Sequence, residues 1–444
     1  MRFRWVSATL CGVLAAYLFL SPIYAIVHFS EYASSTLLLI RYVLVPAALA
    51  VVFLAVGFFA RPQLAMAAGI YGLSALVGFF LFETLLTLRS VPVRLSMLGQ
   101  LSHEQSVAIA RERDFVGGFT LAQLNRLSGV RDLRNAVLSG FPASQVILCA
   151  QPDRVISYRA DRFGFNNPDA IYEDGRMDAM LLGDSFVEGF CLPPGEDLVS
   201  RLRRNDVLAA SAGIRGSGPL TQLAMLGRYG PMFKPHRVFM VFFEGNDWKN
   251  LEGELKFPWL RTALEKDADF GTPLTAGEAT LRARDAMREF NSRPVGVADL
   301  FTRTDVPRNF IALQQTFTLL GLNYPKATRD IPEFGRILQQ AKSIAHSWGG
   351  SFELVYVPRV DRFMGVVSPR SAYEPLRKRV VEAAASAGVP VIDLLIAFEG
   401  RPRPLELYGA DGHFSNSGAA FAAEIIARRL QGGSIADAAV RQGR

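Results

Sequence analysis

Three uncharged apolar runs within the first ninety residues limit what this chain can fold into. Residues 5–27, 42–60 and 64–82 each have about the roughly 20 residues that a helix needs to cross the hydrocarbon core of a bilayer. Arg61-Pro62-Gln63 is so short a connection that the second and third runs are expected to form a tight helical hairpin. Arg2 and Arg4 precede the first run and Arg61 occupies the hairpin turn. The loop between the first two runs holds Glu31 and no lysine or arginine before Arg41. Basic residues collect on the cytoplasmic side, which predicts a cytoplasmic N-terminus and three crossings. Everything after about Leu85 is then extracytoplasmic. The expected location is the inner (cytoplasmic) membrane, with the larger part of the chain periplasmic in a Gram-negative cell. A cleaved signal peptide competes with an uncleaved first helix, because Arg2 and Arg4 make an n-region. Ile23 stands where a cut after Ala25 would want a small residue, which weighs against cleavage.

Half of the residues are hydrophobic, but the excess sits in the apolar runs and leaves the rest with an ordinary globular composition. The formal charge of +7 comes largely from scattered arginine, with only short clusters such as Arg377-Lys378-Arg379. No basic stripe interleaved with aromatics is present, which argues against nucleic acid as a partner. Three cysteines fit neither a zinc site nor a disulfide-rich scaffold. No metal and no organic cofactor is implied. Cys11 lies in an apolar run, so Cys149 and Cys191 are the one candidate pair in the polar part. An oxidising compartment would allow a disulfide between them; two buried free thiols are the alternative.

The pattern divides the chain into a membrane anchor (1–88), a helical neck (89–142) and an α/β domain (143–444). In the neck, apolar residues recur through Leu121, Leu124, Leu127 and Leu133. Two short strands are expected next, at 146–148 and 155–158. Residues 161–168 read as a turn, either plain or on the substrate side. Then apolar runs at 177–182, 207–212, 238–243, 352–357 and 389–392 alternate with helical patterns such as 330–348 and 372–388. That alternation predicts a parallel sheet covered on both faces, the doubly wound α/β architecture. A long connection, about 248–330, exceeds what a crossover needs and is expected as a helical insertion able to shape a cleft.

In such a sheet, ligands bind at the carboxyl ends of the strands, and the polar signals stand there. Gly183-Asp184-Ser185 closes the first run. Gly213 to Gly216 follows the second, and Glu244-Gly245-Asn246-Asp247 the third. Asp411-Gly412-His413 precedes the last helix, at 415–430. A serine nucleophile needs a base, an acid to orient it, and donors for the oxyanion. Of the five histidines, His28 is at the membrane edge, His103 is in the neck, and His236 and His346 are at the wrong end of the sheet. His413 is left as the partner of Ser185. Trp248 and Arg359, just past strand ends, are candidate substrate contacts, with cap packing or a solvated charge as the alternatives.

These blocks resemble the SGNH (GDSL-like) hydrolase family over roughly residues 179–432. Gly183-Asp184-Ser185 matches its Gly-Asp-Ser block. Gly216, with Gly213 as the alternative, matches its glycine. Gly245-Asn246-Asp247 keeps the core of its Gly-x-Asn-Asp. The resemblance implies an SGNH-like, flavodoxin-type layering and an oxyanion hole built from the N–H groups of Ser185 and Gly216 with the side chain of Asn246. Gly183, Asp184, Gly245 and Asp247 would support it. The family's Asp-x-x-His appears here as Asp-x-His, with Ala410 at the usual acid position and Asp411 as the acid. The same spacing occurs in relatives that act on exopolysaccharide acetyl groups. Asp393 is the alternative acid, or else a helix cap.

The implied enzyme is a serine esterase removing acyl groups, acetyl above all, from an extracytoplasmic glycan or related ester through an acyl-serine intermediate. O-acetyl transfer to an exopolysaccharide is the first alternative, and it would require a membrane partner to donate the acyl group. An inactive glycan-binding scaffold is the second alternative.

Overall fold

The structure is a computed structural model, and it describes residues 2–33, 35–97, 115–116, 119–150, 155–173, 175–274, 277–291, 306–324 and 329–432. The chain forms two compact units.

The first unit comprises residues 1–91, 301–330 and 361–379. Its long helices are α1 (Arg2–Val27), α2 (Val45–Phe59) and α3 (Pro62–Met97). A helical stretch beginning at Thr36 runs into α2 through a π-helical turn at Ile40–Leu44. Three segments, Arg4–Val27, Thr36–Phe59 and Pro62–Val91, are long and apolar enough to cross a membrane. They extend the three runs read from the sequence, since helical backbone continues past the last apolar residue while i→i−4 bonds can still form. Ala25, Tyr32, Leu38 and Tyr42 make a small buried cluster, against which Tyr324 packs.

The second unit comprises residues 92–300, 331–360 and 380–444. A small sheet pairs β1 (Phe115–Val116) parallel to β2 (Gln145–Ala150), and β2 antiparallel to β3 (Val155–Arg159). Much of the expected neck, residues 98–114 and 117–118, lies outside the described residues. Among the described residues the neck is helical at 89–97, where α3 continues, and at Leu121–Leu127, capped by the Thr120 hydroxyl, which accepts from Gln123 N–H. Leu133 is buried, but the chain around it is not helical. The carbonyls of Leu133, Arg134 and Ala136 accept instead from the buried Arg228 guanidinium. Acceptors spent on that side chain cannot serve a helical ladder.

The main sheet holds five parallel strands: β4 (Ala179–Gly183), β5 (Ala209–Gly213), β6 (Arg237–Phe243), β7 (Ser351–Val357) and β8 (Val391–Asp393). Their order is β5-β4-β6-β7-β8. Every residue of β4 is buried, as expected of a strand covered on both faces. The helices that serve the site are α4 (Ser185–Glu188), α5 (Leu198–Arg203), α6 (Pro219–Phe233), α7 (Asp247–Glu254), α8 (Glu333–His346) and α9 (Asn416–Leu430). α5 packs against β5 and α9, while α6 packs against β4, β6 and α8. The chain runs outward from β4 to β5 and back across to β6, so right-handed crossovers put α5 and α6 on opposite faces. The predicted doubly wound parallel sheet is present. The order reverses at β4, and the crevice at such a switch point is where ligands bind.

Candidate active site

Ser185 stands two residues beyond the end of β4, at the switch point. Asp184 turns the chain there: its carboxylate accepts from Phe186 N–H at 3.0 Å and caps α4. This short helix sits close over the strand ends because Gly183 and Gly213 lack a Cβ. A Cβ on Gly183 would meet Val187 Cγ2 at 2.4 Å, and one on Gly213 would meet Glu188 N at 2.4 Å. Ser185 itself is nearly buried.

His413 arrives from the other end of the domain. The loop between Leu407 and α9 is closed by a bridge between Tyr408 and Phe414 and by Gly409 N–H donating to His413 O at 2.8 Å. The Tyr408 hydroxyl donates to Pro358 O at 2.6 Å, which ties this loop to the carboxyl end of β7. His413 Nε2 then lies 2.9 Å from Ser185 Oγ. On the other side of the ring, Nδ1 lies 3.2 Å from Asp411 Oδ2, and His413 N–H donates to Asp411 Oδ1 at 3.1 Å. With Nδ1–H donated to the carboxylate, Nε2 is free to accept from the serine. Phe190 and Phe186 flank the imidazole at 4.5 and 5.1 Å between ring centroids.

Burial acts to raise the Asp411 carboxyl. The hydrogen bond to the His413 ring, the charge of that ring and the backbone donors outweigh it, so the group ends below its ordinary value. The Asp-x-His spacing therefore reaches the ring without a third residue between. Asp393 serves elsewhere: it caps the helix Leu394–Glu399, accepting from Leu395 N–H at 3.0 Å.

Gly216 lies in the turn at 214–217, at φ +75°, closed by Ser217 N–H donating to Ile214 O. Ile214 N–H donates to Gly183 O at 3.2 Å, so this turn is bonded to the residue two before the serine. Asn246 caps no helix with its side chain, and its Oδ1 is buried without a hydrogen-bond partner. Burial pushes the Asp184 carboxyl up, and the Phe186 N–H, the His413 ring and the nearby Asn246 amide act against that rise and fall short, while Asp184 Oδ2 is buried without a hydrogen-bond partner. Gly245 lets the Phe243 ring lie beside the backbone, and that ring packs on Phe186 at 4.2 Å. Asp247 is fully buried and accepts from Phe243 N–H at 3.0 Å. Burial first, and then the neighbouring charge of Asp184, push its carboxyl well above the usual range.

Cys149 and Cys191 are joined in a disulfide, with Cα atoms 5.4 Å apart, while Cys11 is a buried thiol. Trp248 is buried against Phe334, at 5.4 Å between rings, which is the cap-packing alternative and not an exposed contact. The 161–167 turn is a scaffold. Asp161 accepts from Phe163 N–H, Phe165 N–H, Asn167 Nδ2 and Tyr172 OH, and Asn167 pairs with the Ser211 backbone.

One buried pair behind the serine has no sequence signature. Arg215 places two nitrogens on Glu188 at 2.9 Å, its backbone N–H donates to the same carboxylate, and its remaining nitrogen contacts reach the carbonyls of Ile147 and Leu148. It joins the nucleophile helix, the Gly216 turn and β2. Among the described residues no group of three or more His, Cys, Asp or Glu side chains is arranged to hold a metal ion.

No protein-family model and no curated protein matches this chain. Among solved structures it is similar to the lipase/acylhydrolase from Enterococcus faecalis, at 19% identity and TM-score 0.31, over 58% of this chain and 96% of that one. It is also similar to a protein of the G-D-S-L family from Desulfitobacterium hafniense DCB-2, at 12% identity and TM-score 0.28, over 57% of this chain and 99% of that one.

Proposed function

We propose that this chain is a membrane-anchored serine esterase of the SGNH type, with Ser185 as nucleophile, His413 as base and Asp411 as the orienting acid. The observation that carries the reading is the continuous relay from Asp411 through His413 to Ser185, at 3.2 and 2.9 Å, standing at the switch point of a parallel sheet. His413 Nε2 takes the Ser185 proton as Oγ attacks the ester carbonyl, and Asp411 stabilises the imidazolium that forms. The oxyanion is received by the N–H groups of Ser185 and Gly216 and the side chain of Asn246. The alcohol leaves with the proton from His413. Water, deprotonated by the same ring, then releases the acid from the acyl-serine.

The substrate we assign is an acetylated glycan outside the cytoplasmic membrane. Arg2, Arg4 and Arg61 support that orientation, because basic residues favour the cytoplasmic face. Transfer to a glycan hydroxyl would use the same acyl-serine, and the partner would then be a membrane protein that delivers the acyl group.

The test uses the full-length chain in detergent, given an activated acetyl ester and a mixture of oligosaccharides, with Ser185→Ala as the blank. Free acetate in excess of the blank is the expected result, followed by release of acetate from acetylated glycans. Acetylated oligosaccharide would make the protein a transferase. Wild type equal to the blank with every ester offered would sink both enzymatic readings and favour a scaffold.

A further inference from the structure

Residues 306–324 belong to the same compact unit as the three apolar helices, and their backbone is interrupted there. The helices Val306–Ile311 and Gln314–Leu320 are separated by a break at which Leu313 takes φ +50°. Such a break leaves carbonyls of the first helix and N–H groups of the second without helical partners. The described structure pairs several of them with side chains of the apolar spans. Glu83, buried within the third span, accepts from Gln315 N–H at 2.9 Å and from Thr316 N–H at 2.8 Å, and also from the Thr316 hydroxyl. The Tyr17 hydroxyl, from the first span, donates to Ile311 O at 3.0 Å. The Tyr42 hydroxyl, from the second, donates to Asn323 O at 2.7 Å. Tyr324 completes the set by donating to Ala312 O at 2.9 Å.

The depth of these contacts follows from helix geometry. At about 1.5 Å of rise per residue, Tyr17 is roughly 20 Å along its helix from Arg4, and Glu83 roughly 33 Å from Arg61. The hydrocarbon core is about 30 Å thick, so Tyr17 falls inside it and Glu83 at its far boundary. Phe80, one turn before Glu83, packs on Phe310 at 5.5 Å. The exposed apolar face of α3 does not stop at this level: Leu81 is 67% exposed and Leu85 62%, and Leu88 continues the row. The break therefore sits beside a surface that is itself shaped for lipid. In hydrocarbon, irregular backbone is tolerated only where its polar groups find protein partners, and that is the pattern observed.

The outward side of the segment is apolar as well. Ile311 is 53% exposed, and Leu319 and Leu320 are exposed beside it. The turn at 363–367, Phe-Met-Gly-Val-Val, is bonded to this helix through Val367 N–H and Leu320 O at 2.9 Å, and its Val366 is 86% exposed. Arg308 is an exposed charge nearby, on a stem long enough for its guanidinium to reach headgroup level.

We propose that residues 306–324, with the 363–367 turn, form a re-entrant element seated in the leaflet at the Leu85 end of the spans. Its Ile311, Leu319, Leu320 and Val366 side chains contact lipid acyl chains. The surface is continuous with the lipid-facing side of α3, which is why bilayer and not a second protein is assigned as its occupant. The proposal rests on the reading that the three helices cross a membrane and is independent of the esterase chemistry.

The experiment places single spin labels on the full-length chain, in a Cys11→Ala background, reconstituted in vesicles of phosphatidylethanolamine and phosphatidylglycerol. Labels go at Ile311→Cys and Leu319→Cys, with Leu81→Cys as the lipid reference. Glu278→Cys, whose side chain is 89% exposed in the other unit, is the water reference. Collision rates with molecular oxygen and with a water-soluble nickel chelate report depth. The expected result is an oxygen-to-nickel ratio at 311 and 319 several-fold above that at 278 and close to that at 81. A water-like ratio at 311 and 319 with a lipid-like ratio at 81 would overturn the element and leave the anchor intact. A water-like ratio at 81 would overturn both. Low access to both reagents at 311 and 319 would mean a protein covers this face, and would equally reject lipid as its occupant.

Discussion

Phe190 lies 4.5 Å, centroid to centroid, from the imidazole of His413, and the residue after it, Cys191, is bonded to Cys149 of β2. The disulfide thus holds the segment that walls one side of the proposed base. Cys191 has a positive φ of 59°, a conformation that a non-glycine residue adopts at a cost and that the bond and the Phe190 packing jointly hold in place. Replacing both cysteines by serine is expected to lower stability by about 2–4 kcal/mol, the usual loss for a native disulfide. It should also lower kcat more than it changes KM, since the base and not the binding surface loses its support. Thermal unfolding and steady-state ester hydrolysis of the full-length protein measure the two effects. An unchanged kcat at a temperature where the variant is folded would confine the bond to stability.

The two candidate acids can be separated by substitution. Asp411→Asn keeps an oxygen for the His413 backbone N–H but removes the charge that favours the imidazolium. The expected loss is about 10²–10⁴ in kcat, in line with the cost of losing a triad carboxylate. Asp393→Ala removes a helix cap, costs about 1 kcal/mol, and should leave kcat nearly unchanged. The reverse outcome would move the acid to Asp393. The carboxyl of Asp411 is depressed in the folded chain, so its contribution to stability is present above the unfolded value and disappears as pH falls through the folded one.

Glu188 and Arg215 form an ion pair in which Glu188 has no exposed side-chain surface, and the Tyr158 hydroxyl donates to the same carboxylate at 3.2 Å. Glu188→Gln leaves the guanidinium without its counter-charge at the Gly216 turn, and a loss of about 3–5 kcal/mol is expected. Adding Arg215→Met should cost much less than its separate effect, because the stranded charge is then gone. Chemical denaturation of the two single variants and the double variant closes the cycle. Strict additivity would show that the pair is not coupled.

Much of this arrangement is legible in the sequence, because each loop at a carboxyl strand end carries its chemistry in consecutive residues. Gly183-Asp184-Ser185 sits at the end of a mostly apolar run, and Asp411-Gly412-His413 sits just before a helix. What escapes is held by pairs far apart in the chain. Arg228 takes the carbonyls of Leu133, Arg134 and Ala136 where the leucine spacing predicts a helix. Arg215 reaches Glu188 and β2, and no local pattern marks either contact. Trp248 stands past a strand end, as a substrate contact would, yet Phe334, on a helix more than eighty residues later, covers it. The long 248–330 connection reads as one insertion, whereas residues 301–330 and 361–379 belong to the unit that holds the apolar helices. Period and hydropathy cannot announce that, because the deciding bonds run from Glu83 to Gln315 and Thr316.

The buried Asp247 sets up a pH effect with a definite sign. Burial, together with the charges of Asp184 and Glu254, raises its carboxyl in the folded chain, while hydrogen bonds from Phe243 N–H and Gln222 act in the opposite direction and fall short. A raised acid binds its proton more tightly folded than unfolded. Its favourable contribution is therefore complete below the unfolded value, near 3.8, and is lost as pH climbs from there through the folded value. Asp247→Asn cannot ionise, and its amide oxygen can still accept from Phe243 N–H. Relative to wild type, the variant should gain stability steadily as pH rises from about 4 toward neutrality, because it never carries the buried charge. Thermal unfolding of both proteins at a series of pH values reads this directly. A difference that stays constant with pH would mean that Asp247 keeps the same protonation state in the folded and unfolded chain.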